Sequence, residues 1–115
     1  MVDSLREPGL QAISPRLLSQ HLHMSIGELA VLTGLPRNSL LRSGRSARVQ
    51  EKLGMITRIL GLASDIVGET NLAVYWFRNE LLAGFDGKRA IDLVTEGKAS
   101  AVLAFLDMVE HGTPA

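Results

Sequence analysis

The middle of the chain carries the pattern that most constrains its fold. Between residues 49 and 67 apolar side chains recur at steps of three and four, the spacing of one face of an α-helix: Val49, Leu53, Ile56, Leu60, Ala63 and Val67. Charged residues in this stretch fall mostly outside that stripe, so one face of the helix is buried and the other meets water. Gly68 ends the pattern. Gly54 and Gly61 each disfavour a helix by up to ~1 kcal/mol relative to alanine, which predicts that another backbone packs closely there.

Cap and break signals predict further helices on both sides of this one. Ser14 precedes a proline at the first helical position, and Ser25 with Glu28 has the spacing of a capping box. The predicted helices run from Pro15 to about His23, Ile26 to about Leu32, Arg37 to about Ser43, Asn71 to Glu80, Ala90 to Thr95 and Ala99 to about Glu110. No segment shows the alternation of a strand. The sequence therefore predicts an all-α fold, with a flexible leader (residues 1–13), a helix-turn-helix-like half (14–46) and a second helical half (47–115).

Composition excludes several classes of protein. Twelve Lys and Arg balance twelve Asp and Glu, so a protein that coats nucleic acid through its overall charge is excluded, although a local basic patch is not. The absence of cysteine excludes a disulfide scaffold, a cysteine-ligated metal site and a thiol nucleophile. The longest apolar run, Leu72 to Phe77, is far shorter than the ~20 residues of a membrane span. We expect a cytoplasmic protein without a membrane partner.

The segment from Ile26 to Arg45 has the spacing of a helix-turn-helix motif. Ala30 is small enough for a second helix to cross the first, Gly34 suits the turn, and Leu40 anchors the second helix in the core. Residues expected to meet DNA are polar or cationic and lie on or just after the second helix: Arg37, Asn38, Ser39, Arg42, Arg45 and Arg48. Arg and Asn pair bidentately with guanine and adenine edges, and the later arginines suit phosphates. The alternative is a buried corner of two helices that contacts no DNA.

An ordered series of motifs fills the C-terminal half. Ala73-Val74-Tyr75-Trp76-Phe77-Arg78-Asn79 ends in a Leu-Leu-Ala-Gly loop, Gly87-Lys88-Arg89-Ala90-Ile91-Asp92-Leu93 follows, and the series closes at Val109-Glu110-His111-Gly112. In this order, behind a helix-turn-helix, these motifs resemble the MbcA/ParS/Xre antitoxins, over roughly residues 14 to 112. That family pairs with RES-domain toxins, which have an ADP-ribosyltransferase-like fold and consume NAD or transfer ADP-ribose from it.

The resemblance implies an antitoxin that covers the NAD site of its toxin and represses its own operon, as a homodimer or a larger hetero-oligomer with the toxin. Residues 47–115 would form the toxin-binding and dimerisation region. The residues expected to meet the toxin are Trp76, Asn79, Gly84, Lys88, Arg89, Asp92, Glu110 and His111. Trp76 and Phe77 are adjacent, so one helix face cannot bury both. The tail from Met108 onwards, with Glu110 and His111 past the last helix, is expected either to plug the toxin's site or to fray.

Other interpretations remain open from the sequence. The loop carrying Lys88 and Arg89 can be a solvated connection, with Asp92 capping or pairing with these cations. The whole chain can be a stand-alone transcriptional regulator whose C-terminal half only dimerises, or a helical adaptor for an unrelated partner. His21 and His23 are two residues apart and cannot share a metal on a helix, and no nucleophile elbow, P-loop or dinucleotide fingerprint is present. We expect neither a cofactor, nor a metal, nor an enzymatic activity.

Overall fold

The computed structural model describes Leu5 and residues 12–112, and this part of the chain is helical. Its seven α-helices are α1 (Pro15–His21), α2 (Ile26–Thr33), α3 (Arg37–Arg42), α4 (Ala47–Val67), α5 (Thr70–Asn79), α6 (Ala90–Thr95) and α7 (Ala99–His111). The predicted all-α fold is confirmed. Every helix expected from the sequence is present, with ends that differ by at most two residues. None of the described helices is both long and apolar enough to cross a membrane.

The helix ends follow the cap residues. The Ser14 hydroxyl accepts a hydrogen bond from the Leu17 amide at the start of α1, and Ser25 and Glu28 form the predicted capping box at the start of α2. The helix α1 stops two residues early because His23 adopts a left-handed backbone conformation, with φ of 56°. Gly68 ends α4 with φ of 86°, as its position after the last apolar residue predicts.

The chain divides into two compact units inside α4. The N-terminal unit comprises residues 1–57 and the C-terminal unit residues 58–115. This division lies later than residue 46, where the sequence suggested the end of the helix-turn-helix-like half.

The N-terminal unit has an aliphatic core. Its fully buried large side chains are Leu5, Leu18, Leu22, Leu29, Val49, Leu53 and Ile56. Leu5 and Ile13 depart from the expectation of a loose leader, since both are buried and the Leu5 carbonyl accepts a hydrogen bond from the Ser14 amide. The other residues of the predicted leader, apart from Ala12, lie outside the described part of the chain.

Close backbone packing occurs at a different glycine from those predicted. A Cβ at Gly54 or Gly61 would meet nothing within 4 Å, so the expected close approach at these positions is wrong. At Gly44 a Cβ would lie 3.1 Å from the Leu40 carbonyl oxygen and 3.3 Å from Cγ of Pro15. The start of α1 therefore packs directly onto the turn between α3 and α4.

The C-terminal unit is built around Phe77. This side chain is completely buried, together with Ile59, Leu60, Ala73, Ala90 and Val102. The helix α6 packs against both α5 and α7. The unit thus consists of the end of α4 and three further helices, with the loop between α5 and α6 as its longest connection.

Candidate functional site

The helix α5 has apolar residues on two opposite faces. Ala73, Val74 and Phe77 are buried in the core of the C-terminal unit. On the opposite side Leu72 and Tyr75 expose 51% and 62% of their surface. A helix that packs on one face only normally presents polar residues on the opposite face. The second, apolar face of α5 therefore has the composition of a surface that another protein covers.

We call this surface the outer face of α5, formed by Leu72, Tyr75, Trp76 and Asn79. Positions 72, 75, 76 and 79 lie within two turns on one side of a helix. Trp76 is half-buried while its neighbour Phe77 is completely buried, which confirms that the two rings cannot both enter the core. The Asn79 side-chain amide donates to the Tyr75 carbonyl (3.0 Å), and both residues are exposed.

Trp76 and Asn79 of this face were expected from the sequence to meet a partner, whereas Leu72 and Tyr75 were not. A signal was present, because the apolar residues of α5 cannot all fit on one helical stripe. Leu81, two residues beyond α5, is a further exposed apolar residue and shows 65% of its area.

Arg89 and Asp92 form a clasp at the start of α6. The guanidinium donates from Nε and Nη2 to the two carboxylate oxygens of Asp92 (2.9 and 2.8 Å), and the Arg89 amide also donates to that carboxylate (2.9 Å). These hydrogen bonds lower the pKa of Asp92 to about 2 and raise that of Arg89. Nη1 of Arg89 donates to the Arg78 carbonyl (2.9 Å), so the clasp also ties α6 to the end of α5.

The loop between α5 and α6 is an ordered turn. The Leu82 amide donates to the Lys88 carbonyl (2.8 Å), and the Lys88 amide donates to the Phe85 carbonyl (3.0 Å). Gly84 and Gly87 take positive φ values of 84° and 75°, which side chains with a Cβ rarely adopt. The Phe85 ring packs edge-on against Phe105 of α7 at a centroid distance of 6.1 Å. The connection is thus ordered by its own contacts, while Gly84 and Gly87 are exposed to solvent.

Lys88 is also engaged within the C-terminal unit. Its ammonium lies 2.7 Å from the Glu96 carboxylate, which Lys98 approaches to 3.3 Å. The hydrogen bond with Glu96 raises the pKa of Lys88 and lowers that of Glu96. The two cations expected to reach a partner from this loop, Lys88 and Arg89, thus already have carboxylate partners in their own unit.

The last turn of α7 holds two further residues that were expected to meet the toxin. Glu110 and His111 both lie within α7, which ends at His111, one residue after the predicted end, so neither belongs to a tail past the helix. Nδ1 of His111 lies 2.9 Å from the Asp107 carbonyl oxygen and 3.2 Å from its carboxylate. The backbone hydrogen bond and the charge of Asp107 raise the pKa of His111. Residues 113–115 of the predicted tail lie outside the described part of the chain.

The segment predicted as a helix-turn-helix consists of α2, a turn and α3, all in the N-terminal unit. Gly34 takes the left-handed conformation after α2, with φ of 70°, and its amide donates to the Val31 carbonyl. Leu35 and Leu40 are buried, which anchors the turn and α3 in the core. The helix α3 is short, with six residues.

The residues predicted to meet DNA are almost all exposed on and after α3. Arg37, Asn38 and Arg42 are exposed on the helix, Ser39 is half-buried, and Arg45 and Arg48 are exposed beyond it. Five cationic or amide side chains therefore face solvent on and just after α3. Among the described residues, no three His, Cys, Asp or Glu side chains come together as a metal-binding group.

Comparison with known families bears on the C-terminal unit. Residues 62–112, somewhat less than half of the chain, match the family model described as the antitoxin Xre/MbcA/ParS C-terminal toxin-binding domain. No match to a curated protein accompanies it. The matched segment lies entirely within the C-terminal unit and contains the outer face of α5, the Arg89–Asp92 clasp and α7. The family resemblance predicted from the sequence is confirmed over these residues.

Proposed function

We propose, from the membership of residues 62–112 in the antitoxin Xre/MbcA/ParS toxin-binding family, that the chain is a cytoplasmic antitoxin whose toxin is a RES-domain protein. The C-terminal unit binds the toxin and covers its NAD site, so that the toxin no longer consumes NAD or transfers ADP-ribose. The chain acts as a protein inhibitor and not as an enzyme. The family match is the observation that carries this proposal.

The outer face of α5 supports this function as the main contact surface. Leu72 and Tyr75 lie within the matched segment and are more than half exposed, and burial of such apolar surface contributes about 25 cal/mol per Å². Tyr and Trp are the side chains that most often dominate binding energy at protein interfaces. Tyr75 and the half-buried Trp76 thus provide two adjacent aromatic anchors.

The charge of the C-terminal unit suits the proposed target. Residues 58–115 contain eight Asp and Glu against five Lys and Arg, and Asp107 and Glu110 are exposed on α7. A site that binds the anionic pyrophosphate of NAD offers cationic and hydrogen-bond-donating groups. An acidic protein surface is complementary to such a site and speeds association with it.

Autorepression is the second part of the proposal, and the helix-turn-helix supports it. Arg37 and Asn38 are exposed at the start of α3, where a recognition helix contacts base edges. The antitoxin, alone or with its toxin, would bind operator DNA as a dimer or a larger assembly. Operator binding and toxin binding would then use separate residues of one chain.

Co-expression with the neighbouring RES-domain toxin tests the main proposal. We expect the wild-type chain to restore growth, to co-purify with the toxin and to suppress NAD consumption by the purified toxin. The double substitution Leu72→Glu with Tyr75→Glu places charge on the outer face of α5, and we expect it to abolish all three effects. Both side chains are exposed, so the unfolding midpoint should change little.

Val31→Glu is the matched control. Val31 is an apolar residue with 68% exposure on α2 in the N-terminal unit, and its substitution should leave the rescue of growth intact. Failure of the wild-type chain to bind or silence the toxin would overturn the antitoxin proposal. If sedimentation then showed that the double variant turns a dimer into a monomer, the alternative of a stand-alone regulator with a dimerising C-terminal half would replace it.

A further inference from the structure

A cleft of about 420 Å³ lies beside α3 in the N-terminal unit. One wall is the start of α1, from Ile13 to Arg16, and the other is the end of α3 with the turn to α4, residues 40–46. The sequence gives no sign that Arg16 of α1 lies near the arginines of α3, because it is far from them along the chain. The fold brings the two segments together.

The two walls of this cleft are held together by Gln50 of α4. Its side-chain carbonyl accepts from the Ile13 amide (2.8 Å), and its side-chain amide donates to the carbonyls of Ile13 (2.9 Å) and Gly44 (2.7 Å). One partly buried side chain thus fixes the backbone of both walls. The contact of Gly44 with Pro15, which leaves no room for an unadjusted Cβ, closes the base of the same junction.

The side chains around the cleft are cationic and hydrogen-bond-donating. Arg16, Arg42 and Arg45 line it together with the hydroxyls of Ser43 and Ser46, and none of the described residues that line it is Asp or Glu. Arg16 and Arg42 come from opposite walls and are both exposed. Each guanidinium group can donate two parallel hydrogen bonds, so arginines on two sides of a cleft can together bind several oxygens of one phosphate group.

We propose that this cleft, defined by Arg16, Arg42 and Arg45, is a phosphate-binding subsite that takes a backbone phosphate of duplex DNA. The assignment to DNA rests on the proposed operator binding, because the cleft adjoins α3. Arg16 would contact the backbone outside the groove that α3 enters and would position α3 without reading sequence. The hydrogen bonds of Gln50 already hold the backbone of both walls, so only the arginine side chains need to be ordered when the phosphate binds.

The test is the salt dependence of DNA binding by the full-length protein and by Arg16→Gln. The probes are a duplex from upstream of the protein's own coding sequence and a scrambled duplex of equal length, followed by fluorescence anisotropy. We expect Arg16→Gln to weaken binding to both duplexes by a similar factor, about tenfold or more. The slope of log K against log salt should also become shallower by about 0.9, the value for one lost phosphate contact.

Arg58→Gln is the matched control, because Arg58 is an exposed arginine of α4 in the C-terminal unit. It removes the same charge, and its DNA affinity and salt slope should equal those of the wild type. If the wild type binds DNA and Arg16→Gln has the same DNA affinity and the same salt slope, the proposed phosphate subsite is wrong, whereas operator binding is not contradicted. If the wild type binds neither duplex, either alone or in complex with its toxin, both the phosphate subsite and operator binding are wrong.

A titration with inorganic phosphate distinguishes a backbone phosphate of DNA from a free phosphate ion as the ligand of this cleft. At constant ionic strength, millimolar phosphate should shift the amide resonances of residues 43–46 weakly, and duplex DNA should displace it. Phosphate binding that the duplex does not displace would overturn the assignment to DNA. Arg16→Lys, which keeps the charge but loses the fork, should recover only part of the affinity for the duplex.

Discussion

The two units of the chain are nearly equal in length but carry opposite charge. Residues 1–57 contain seven Lys and Arg against four Asp and Glu, whereas residues 58–115 contain five against eight. The zero net charge of the whole chain is therefore the sum of a basic unit and an acidic unit. A whole-chain value excludes a uniformly basic protein, but it does not describe either surface that a partner would meet.

The units also differ in the surroundings of their cationic side chains. In the C-terminal unit Lys88 and Arg89 form ion pairs with Glu96 and Asp92. In the N-terminal unit Arg37 and Arg42 lie exposed on α3. The same residue types thus stabilise a loop in one unit and are presented to solvent in the other. This contrast suggests that a nucleic acid is the partner of the first unit and a protein that of the second.

The largest expected effect is a loss of operator binding when arginines of the basic N-terminal unit are replaced. Arg37→Ala with Arg42→Ala should weaken operator binding by at least about 30-fold, because each arginine contact to a base edge contributes about 1–3 kcal/mol. Neutralisation of the toxin should remain, since neither residue lies in the C-terminal unit. Anisotropy with operator duplex and a growth-rescue assay measure the two effects on the same variant.

Two results of these measurements would contradict the separate roles of the two units. Loss of toxin neutralisation in this arginine variant, with an unchanged unfolding midpoint, would show that the units do not work separately. Wild-type DNA affinity that does not fall between low and high salt would contradict the assignment of these arginines to DNA, since phosphate contacts release counterions.

Glycine substitutions provide the next effect in size and locate close packing in the N-terminal unit. Gly44→Ala should destabilise the protein by about 1 kcal/mol or more, because its Cβ would meet Leu40 and Pro15 at 3.1 and 3.3 Å. Gly61→Ala on α4 should stabilise it by about 0.5–1 kcal/mol, since it adds helix propensity in open space. Urea unfolding monitored by Trp76 fluorescence and by circular dichroism gives both values.

Gly54→Ala provides a control within the N-terminal unit. A Cβ there would also meet nothing within 4 Å, so this variant should behave like Gly61→Ala and not like Gly44→Ala. Equal destabilisation at all three positions would mean that the close contact at Gly44 has no energetic weight.

The helices were predictable from the sequence because the signals that set them are local. The apolar stripe of α4, the capping box of Ser25 and Glu28, and Gly68 each act within a few residues of the position they determine. The role of Gly44 was not predictable in this way. Its close neighbour Pro15 lies far away along the chain, and only the folded structure brings the two together.

The candidate surfaces were predictable only in part, for the same reason. The exposed arginines of α3 follow from helix periodicity, but Arg16 joins them only through the packing of α1 against the turn after α3. Conversely, the sequence offers Lys88 and Arg89 as loop cations, and the fold supplies Glu96 and Asp92 as their partners. Leu72 and Tyr75 were missed because an apolar helix face is normally assigned to the core.

The smallest expected effect concerns the clasp of the acidic unit. Asp92→Asn removes the ion pair with Arg89 and should destabilise the protein by about 1 kcal/mol at pH 7, a modest value because both side chains are partly exposed. The folded-state pKa of Asp92, about 2, lies below its unfolded value. Its contribution is therefore fully present above about pH 5 and is lost as the pH falls towards 2. The difference in unfolding free energy between wild type and Asp92→Asn should accordingly shrink over this range, whereas the control Asp65→Asn, an exposed carboxyl on α4, should match the wild type throughout. Amide hydrogen exchange shows which helices are affected. In Asp92→Asn the amides of α5 and α6 should exchange faster, whereas those of α1 to α3 should not change. Faster exchange in both units would show that the clasp stabilises the whole fold and not the acidic unit alone.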